Sequence, residues 1–315
     1  MMARIAVLDD YQHVAHRFAD WSRLGEHELT FIHEPLEDVA AALEPFDVVC
    51  AMRERTAFPA DVFDGLPNLR LLVTTGMRNA SIDMDAAAAH GVVVCGTEVP
   101  STPTAELAWG LVLALARHIP HEGGGMREGG WMTTVGVDLN GRTLGILGLG
   151  RLGSIVARYG AAFGMGLVAW SENLTAERAA ECGAELVRKD ELFSCADVVT
   201  IHLVLSRRTR GLIGAQEISL MKPTAYLVNT SRGPIVDEEA LLDALDSGRI
   251  AGAGIDVYDR EPLPADHPLR RSPNTVLTPH LGYVTENTYR VFYGQTVEDV
   301  EAWLAGEPMR VIAAP

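Results

Sequence analysis

Positive charge is scarce in this 315-residue chain: 26 Lys and Arg stand against 42 Asp and Glu, a formal net charge of −16. Phosphate backbones are bound by clustered Lys and Arg, so no nucleic-acid partner is expected. Cysteine is sparse as well, with Cys50, Cys95, Cys182 and Cys195 and no CxxC pair. We read them as buried thiols of a reducing cytoplasm rather than as a disulfide framework. No Cys/His cluster has ligand spacing, so no metal site is expected. Long apolar runs are missing too. The longest uncharged one, residues 107–116, falls short of the ~20 residues that cross a bilayer, so no membrane partner is expected. At the N-terminus Arg4-Ile-Ala-Val-Leu-Asp-Asp10 has too short an apolar stretch for a targeting segment. There is no solenoid repeat and no low-complexity tract. With 48% hydrophobic and 22% charged residues the composition is globular, and disordered, coiled-coil and fibrous classes are excluded. The length predicts about two domains.

The pattern along the chain is short apolar strands alternating with helical segments, which indicates βαβ units and parallel sheets. Strands are expected at residues 5–8, 48–51, 71–74 and 92–95. An Ala-rich helix over 83–90 is stopped by Gly91. Pro103 and Pro120 bracket a long helix over 103–117. It is apolar on nearly every face and so is expected to be deeply buried, packed against both domains. The Gly-rich stretch 123–130 reads as a surface loop. A second series has strands at 144–147, 166–170, 198–202, 225–229, 252–257 and 276–278. Asp237 is a suitable N-cap for a helix over 238–247, and Gly248 its stop.

Gly148-Leu-Gly150-Arg-Leu-Gly153 follows a strand and opens a helix from about Leu152. That context gives the glycines a dinucleotide-binding meaning. The first makes a tight turn, the second lets backbone approach a pyrophosphate, and the third packs helix on strand. Gly148, Gly150, Arg151, Leu152 and Gly153 are therefore cofactor-binding candidates; the alternative is a Gly-rich turn without a ligand. An acid about 20 residues on would hold the ribose diol. Ser171 occupies that position and Glu172 follows. A 2′-phosphate would want Arg there and would be repelled by Glu172, so NAD is favoured while NADP stays open. Three further strand ends carry chemistry: Asn229-Thr-Ser-Arg-Gly233, Ile255-Asp-Val-Tyr-Asp-Arg-Glu-Pro262 and Thr278-Pro-His-Leu-Gly282. Ligands bind outside the carboxyl ends of strands in open α/β sheets, so Arg232, Asp256, Glu261 and His280 should converge near the nicotinamide end of a cofactor.

These segments resemble the D-isomer-specific 2-hydroxyacid dehydrogenase family. The glycine motif, NTSRGPIVDEEAL (229–241), AGAGIDVY (251–258), EPLPADHPL (261–269) and TPHLG (278–282) occur in that family's order and spacing. The resemblance covers essentially the whole chain. It implies an α/β fold of two Rossmann-like, doubly wound domains with a cleft between them. A discontinuous substrate domain would comprise 1–99 plus 285–315, including a returning C-terminal helix at about 286–305. The dinucleotide-binding domain would be 100–284. By the same resemblance His280 is the acid/base, Glu261 its paired carboxylate and Arg232 the substrate-binding and polarising cation. Asp256 contacts the carboxamide side of the cofactor, and Thr104, Thr230, Ser231, His280 and Gly282 are further cofactor-side positions. Each has a plainer alternative: Arg232 capping a turn, Glu261 at the surface, His280 a structural histidine. For His202, core packing is favoured over lining the adenine side.

The first domain matches in part. Met52-Arg-Glu-Arg-Thr56 resembles a segment whose first Arg, Arg53, contacts substrate in some members. Thr75-Gly-Met-Arg-Asn-Ala-Ser-Ile-Asp83 resembles the substrate loop, with Gly76, Met77 and Arg78 as candidates. Arg78 replaces a glycine there, which suggests a second positive charge for an acidic substrate; the alternative is an Arg directed to solvent. The implied activity is NAD(P)-dependent hydride transfer between nicotinamide and a small 2-keto or 2-hydroxy acid of the D series. Two readings compete: a formate-dehydrogenase-like enzyme, disfavoured because Glu261 stands where that family has Gln, and an NAD-sensing, corepressor-like binding protein. No appended regulatory domain is expected. A cytoplasmic homodimer, formed through the cofactor domain, is.

Overall fold

The computed structural model describes residues 2–315, which divide into two compact units: residues up to Pro100 with Val284–Pro315, and Ser101–Tyr283.

The first unit opens with β1 (Arg4–Val7), α1 (Ala15–Phe18), β2 (Glu28–Phe31), α2 (Val39–Leu43) and β3 (Val48–Ala51). It continues through α3 (Ala60–Asp64), β4 (Leu71–Thr74), α4 (Met84–Ala89) and β5 (Val93–Gly96). All four residues of both β3 and β4 are buried, as expected for central strands of a parallel sheet covered on both faces. Asp83 caps α4 by accepting from the Ala86 amide, and Gly91 comes after it at φ +76°.

The second unit begins with α5 (Thr102–Ala116) and α6 (Ile119–Arg127), followed by β6 (Thr143–Leu147), α7 (Arg151–Ala162), β7 (Gly166–Trp170), α8 (Ala176–Glu181) and β8 (Glu185–Leu186). Then come α9 (Lys189–Cys195), β9 (Val198–Ile201), α10 (Ala215–Leu220), β10 (Tyr226–Asn229), α11 (Glu238–Asp246), β11 (Gly252–Ile255) and β12 (Thr275–Leu277). The chain returns to the first unit as α12 (Glu286–Leu304), packed on α1, β4 and β5, and ends in β13 (Val311–Ala313).

The second sheet runs β12-β11-β10-β9-β6-β7-β8, all parallel. Read from its first strand, this is the doubly wound dinucleotide-fold order extended by one strand, and its topological switch point lies between β6 and β9. The first sheet runs β13-β5-β4-β3-β1-β2, with only β13 antiparallel. Its parallel part has the other common doubly wound order, with the switch point between β1 and β3. α5 supplies seven buried residues, among them Trp109, Leu111 and Leu115, to a core shared with β6, β7 and α7.

Two expectations need correction. Residues 123–127 of the Gly-rich stretch are the body of α6, not a loop. Pro120 lies in the first turn of that helix, where its missing N–H costs nothing, so it opens α6 rather than closing off α5. The three glycines hid the helix, since each costs about 1 kcal/mol relative to Ala. Glu122 explains what holds it: its carboxylate accepts from the amides and hydroxyls of Thr133 and Thr134. Those bonds pull the Glu122 pKa down to about 2. Of the cysteines, Cys50 and Cys95 are buried, whereas Cys182 and Cys195 are only half-buried; all four are free.

Candidate active site

In the second unit the polar candidates gather where β6, β9, β10, β11 and β12 end. Gly148 leaves β6 at φ +95°, a conformation open to glycine at little cost. A Cβ there would lie 2.6 Å from the His202 carbonyl oxygen. One on Gly153 would overlap the Gly148 carbonyl oxygen, so α7 can sit this close to β6 only with glycine. Gly150 is different, because a Cβ on it would meet nothing within 4 Å. It is the N-cap of α7 and offers no side-chain cap, leaving the first amides of the helix unsatisfied. Open space in front of uncapped amides is what a pyrophosphate needs. Arg151 is exposed and Leu152 half-buried at this helix start.

Two orphaned polar atoms lie at neighbouring strand ends. Thr230 Oγ1, after β10, is buried without a hydrogen-bond partner, and so is His202 Nδ1, after β9. The other ring nitrogen of His202 is 3.0 Å from Thr200 Oγ1, and burial pushes its pKa down to about 4, so the ring is neutral near pH 7. Ser231, by contrast, is occupied: its hydroxyl donates to the Ile201 carbonyl and its amide to Asn229 Oδ1. Ser171 is half-buried just past β7, with Glu172 exposed beside it. The glycine turn and the orphaned atoms fit a dinucleotide.

The acid/base candidates form one connected group. His280 Nδ1 lies 2.6 Å from Glu261 Oε2, and the other Glu261 oxygen accepts from the Tyr258 amide at 2.9 Å. Burial works to raise the Glu261 pKa, but the His280 hydrogen bond and charge, the Tyr258 amide and the Arg232 charge outweigh it and hold the carboxyl below its ordinary value. Arg232 donates to the Ser231 carbonyl, and its own carbonyl accepts from Asn229 Nδ2. Tyr283 packs edge-on to the His280 ring at 5.5 Å.

Asp256 is fully buried behind this group. Its Oδ1 accepts from Thr278 Oγ1 at 2.6 Å and the Leu281 amide at 2.7 Å, and its Oδ2 from the Gly282 amide at 2.9 Å. Burial raises its pKa, while those donors and His280 work the other way. Tyr258 Oη donates to the Thr278 carbonyl, and Thr104 Oγ1 to the Gly282 carbonyl. Sequence reasoning assigns no role to Tyr258 or Thr278, although both stand inside the strand-end motifs; the available signal is their place next to Asp256 and His280.

In the first unit, Arg53 and Gly76 come after β3 and β4. Arg53 turns through φ +54°, its amide donates to Thr75 Oγ1, and its guanidinium donates to the Thr75 carbonyl at 2.9 Å. That guanidinium lies where a side chain on residue 76 would project, which accounts for glycine there, at φ +108°. Met77 and Arg78 are exposed, and no hydrogen bond or ion pair holds the Arg78 side chain among the described residues. Arg55, by contrast, donates to the Asp9 carbonyl and lies over the Tyr11 ring. Among the described residues no His/Cys/Asp/Glu group could hold a metal ion, and no helix is long and apolar enough to cross a membrane.

A doubly wound domain with a glycine turn and a His–carboxylate pair defines a dinucleotide-dependent class. Residues 109–282 match the family model for the D-isomer specific 2-hydroxyacid dehydrogenase NAD-binding domain. The chain is 40% identical over 257 residues to a glyoxylate reductase of Aeropyrum pernix, covering 78% of this chain and 77% of that one. It is 35% identical over 284 residues to a D-3-phosphoglycerate dehydrogenase of Bacillus subtilis, covering 89% and 54%. A solved phosphoglycerate oxidoreductase from Vibrio cholerae superposes with a TM-score of 0.93 at 35% identity, covering 97% of this chain and 100% of that one. The chain spans about half the length of the curated phosphoglycerate dehydrogenases it matches, those of Bacillus subtilis and Methanocaldococcus jannaschii among them. It belongs to the D-isomer specific 2-hydroxyacid dehydrogenase family, and residues 109–282 are its NAD-binding domain.

Proposed function

We propose that the protein is an NAD-dependent oxidoreductase acting on a small 2-keto or 2-hydroxy acid of the D series. The observation that carries this reading is the 2.6 Å His280–Glu261 pair, with the Arg232 charge acting on Glu261. NAD supplies the hydride acceptor, and its reduced form the donor. The chain's own groups do the rest. Glu261 holds Nδ1 of His280, which leaves Nε2 to deliver a proton to the substrate carbonyl oxygen as it is reduced, and to take it back in the reverse direction. Arg232 offers a planar fork suited to the substrate carboxylate and stays charged at any working pH. Gly148, Gly150, Arg151, Leu152 and Gly153 receive the pyrophosphate; Ser171, Thr104, Thr230, Ser231 and Gly282 complete the cofactor contacts. Arg53, Gly76, Met77 and Arg78 serve the substrate. A formate-dehydrogenase-like reading is weaker, because an ionised Glu261 is built to support a proton-transferring His, whereas hydride removal from formate transfers no proton. The test is a panel of 2-keto acids assayed with NADH and with NADPH; no turnover on any member overturns the proposal.

Arg78 is the cation with charge to spare. Arg78→Ala should raise KM about tenfold for a dianionic 2-keto acid and leave a monoanionic one within twofold, since one lost charge-assisted contact is worth ~1.5–3 kcal/mol. Equal KM shifts for both substrates would count against it.

We further infer a homodimer formed through the second unit, in a reducing cytoplasm that suits four free thiols. α6 buries none of its residues within its own subunit. Trp131, Met132 and Val135 beyond it are 70%, 77% and 90% exposed. A second copy would cover this apolar stretch. Trp131→Asp should shift the sedimentation profile toward monomer.

A further inference from the structure

We propose that the C-terminal strand β13 is a working part of the substrate site, and that Arg310 at its start is a positioning residue that sets the Gly76 turn. The inference rests on the dehydrogenase reading above, in which Gly76, Met77 and Arg78 serve the substrate.

Arg310 is held by one face of α12. Its Nε donates to Asp299 Oδ1 at 2.9 Å and its Nη2 to the Gln295 carbonyl at 2.9 Å. Glu298 Oε2 pairs with the same Nη2 at 2.9 Å. Gln295, Glu298 and Asp299 are neighbours on a helix surface, since residues three and four apart share a face. Asp299 is fully buried, and burial pushes its pKa up to about 7 while the Arg310 charge works to lower it. A carboxylate in that setting needs a cation, and Arg310 supplies it. The Arg310 backbone turns through φ +49°, a left-handed conformation that a β-carbon disfavours. The side-chain bonds over-determine that turn. Its product is a carbonyl that accepts from the Gly96 amide at 3.0 Å, at the point where β13 begins to pair with β5, Val311 opposite Cys95.

From Gly96 the path to Gly76 is direct contact. β4 and β5 pair with Thr74 opposite Gly96, which brings the turn after β4 beside Gly96. A Cβ on Gly96 would lie 2.6 Å from the Gly76 carbonyl oxygen and 2.6 Å from Ile312 Cδ1. The Gly76 peptide, Gly96 and the Ile312 side chain of β13 are therefore packed together without spare room. A second path starts from the same residue of α12. Gln295 Oε1 accepts from the Glu98 amide at 2.7 Å, and the Glu98 carbonyl accepts from the Thr97 hydroxyl at 3.1 Å. Thr97 Oγ1 in turn accepts from the Gly76 amide at 3.0 Å. Both polar groups of Gly76 are thus backed by elements that α12 and β13 fix. The acid/base pair and the glycine turn belong to the second unit, so loosening this support should act on substrate affinity and spare the chemical step.

The experiment compares Arg310→Ala, Arg310→Lys and Ile312→Ala with wild type on the 2-keto acid that wild type reduces best. KM should rise about tenfold in Arg310→Ala, the loss expected for one charge-assisted hydrogen bond, and about threefold in Ile312→Ala. kcat and the NADH dissociation constant should stay within about twofold in both, the pattern of lost substrate binding. Arg310→Lys keeps the charge beside Asp299 and should recover part of the KM. Amide exchange at Gly76 and Gly96 should quicken in Arg310→Ala. Unchanged KM in Arg310→Ala and Ile312→Ala overturns the proposal. A fall in kcat together with weaker NADH binding overturns it as well, because that marks general damage. Where Arg310→Ala fails to fold, with Asp299 left buried beside no cation, Ile312→Ala decides: an unchanged KM there defeats the proposal. A wild-type protein inactive on every keto acid removes the dehydrogenase reading instead, and unchanged exchange at Gly76 would then still show that Arg310 does not set the turn.

Discussion

Alanine at position 280 should lower kcat/KM for 2-keto acid reduction by about 100- to 10,000-fold while NADH still binds, the usual loss on removing a positioned general acid. The carbonyl oxygen gains negative charge as the hydride arrives, and among the described residues His280 is the one imidazole in the second unit paired with a carboxylate at a strand end of the proposed cofactor site. Glu261→Gln should show a smaller loss and a characteristic pH effect. Glu261 has its pKa lowered in the folded protein, with burial opposed and outweighed by His280 and Arg232. It therefore stays ionised through the neutral range. Its pairing contributes stability above the ordinary carboxylate value of ~4.3, and that contribution is lost as pH falls through the depressed folded value. With Gln in its place that pH-dependent contribution is absent, so the loss of stability on acidification below ~4.3 should be smaller in the variant than in wild type. A stability-versus-pH profile of Glu261→Gln superimposable on wild type would count against the ionised pair, and near-normal turnover in His280→Ala would falsify the acid/base assignment.

Much of this architecture is legible in the sequence because its strands are short apolar runs, the central ones buried on both faces. β3, β4 and β7 can be read residue for residue from short apolar runs, and the caps at Asp83 and Asp237 set the starts of α4 and α11. The elements that escape are decided by partners distant in sequence. β2 is an edge strand with one exposed and three half-buried residues, so it carries no apolar signature. β8 is two residues long, and β13 exists only because it pairs antiparallel with β5 from more than 200 residues away. In the site, the order of polar strand ends is readable, since each ends an apolar run. That Asp256 spends both oxygens on the loop after β12 is not, because it depends on the β11–β12 register and on a left-handed His280. Likewise Arg53 looks like a free cation in sequence, but its guanidinium is partly tied to the Thr75 carbonyl.

The glycine turn allows structure and binding to be separated within six residues. Gly153→Ala should damage both. Its new methyl would overlap the Gly148 carbonyl oxygen, which is backbone in a tight turn and cannot swing aside as a side chain can. Overpacking of that kind costs ~1–3 kcal/mol, and a backbone obstacle belongs at the upper end. In a unit of this size that is a fall in Tm of roughly 5–10 °C, with NADH binding lost as α7 is pushed off β6. Gly160→Ala, lower in the same helix, is a control. The atoms its Cβ meets, the Cδ2 methyl of Leu144 at 2.6 Å and that of Leu167 at 3.0 Å, are ends of side chains that can repack. Gly150→Ala should behave differently from both. Its φ of −80° suits any residue and nothing lies within 4 Å of the added carbon, so Tm should stay within about 1 °C of wild type. NADH affinity should nevertheless fall on the order of tenfold or more, because the methyl stands where backbone must approach the pyrophosphate. Thermal melts and NADH fluorescence titrations on the three variants decide it. Normal NADH binding by Gly150→Ala would mean that the open space before α7 is not where the phosphates lie.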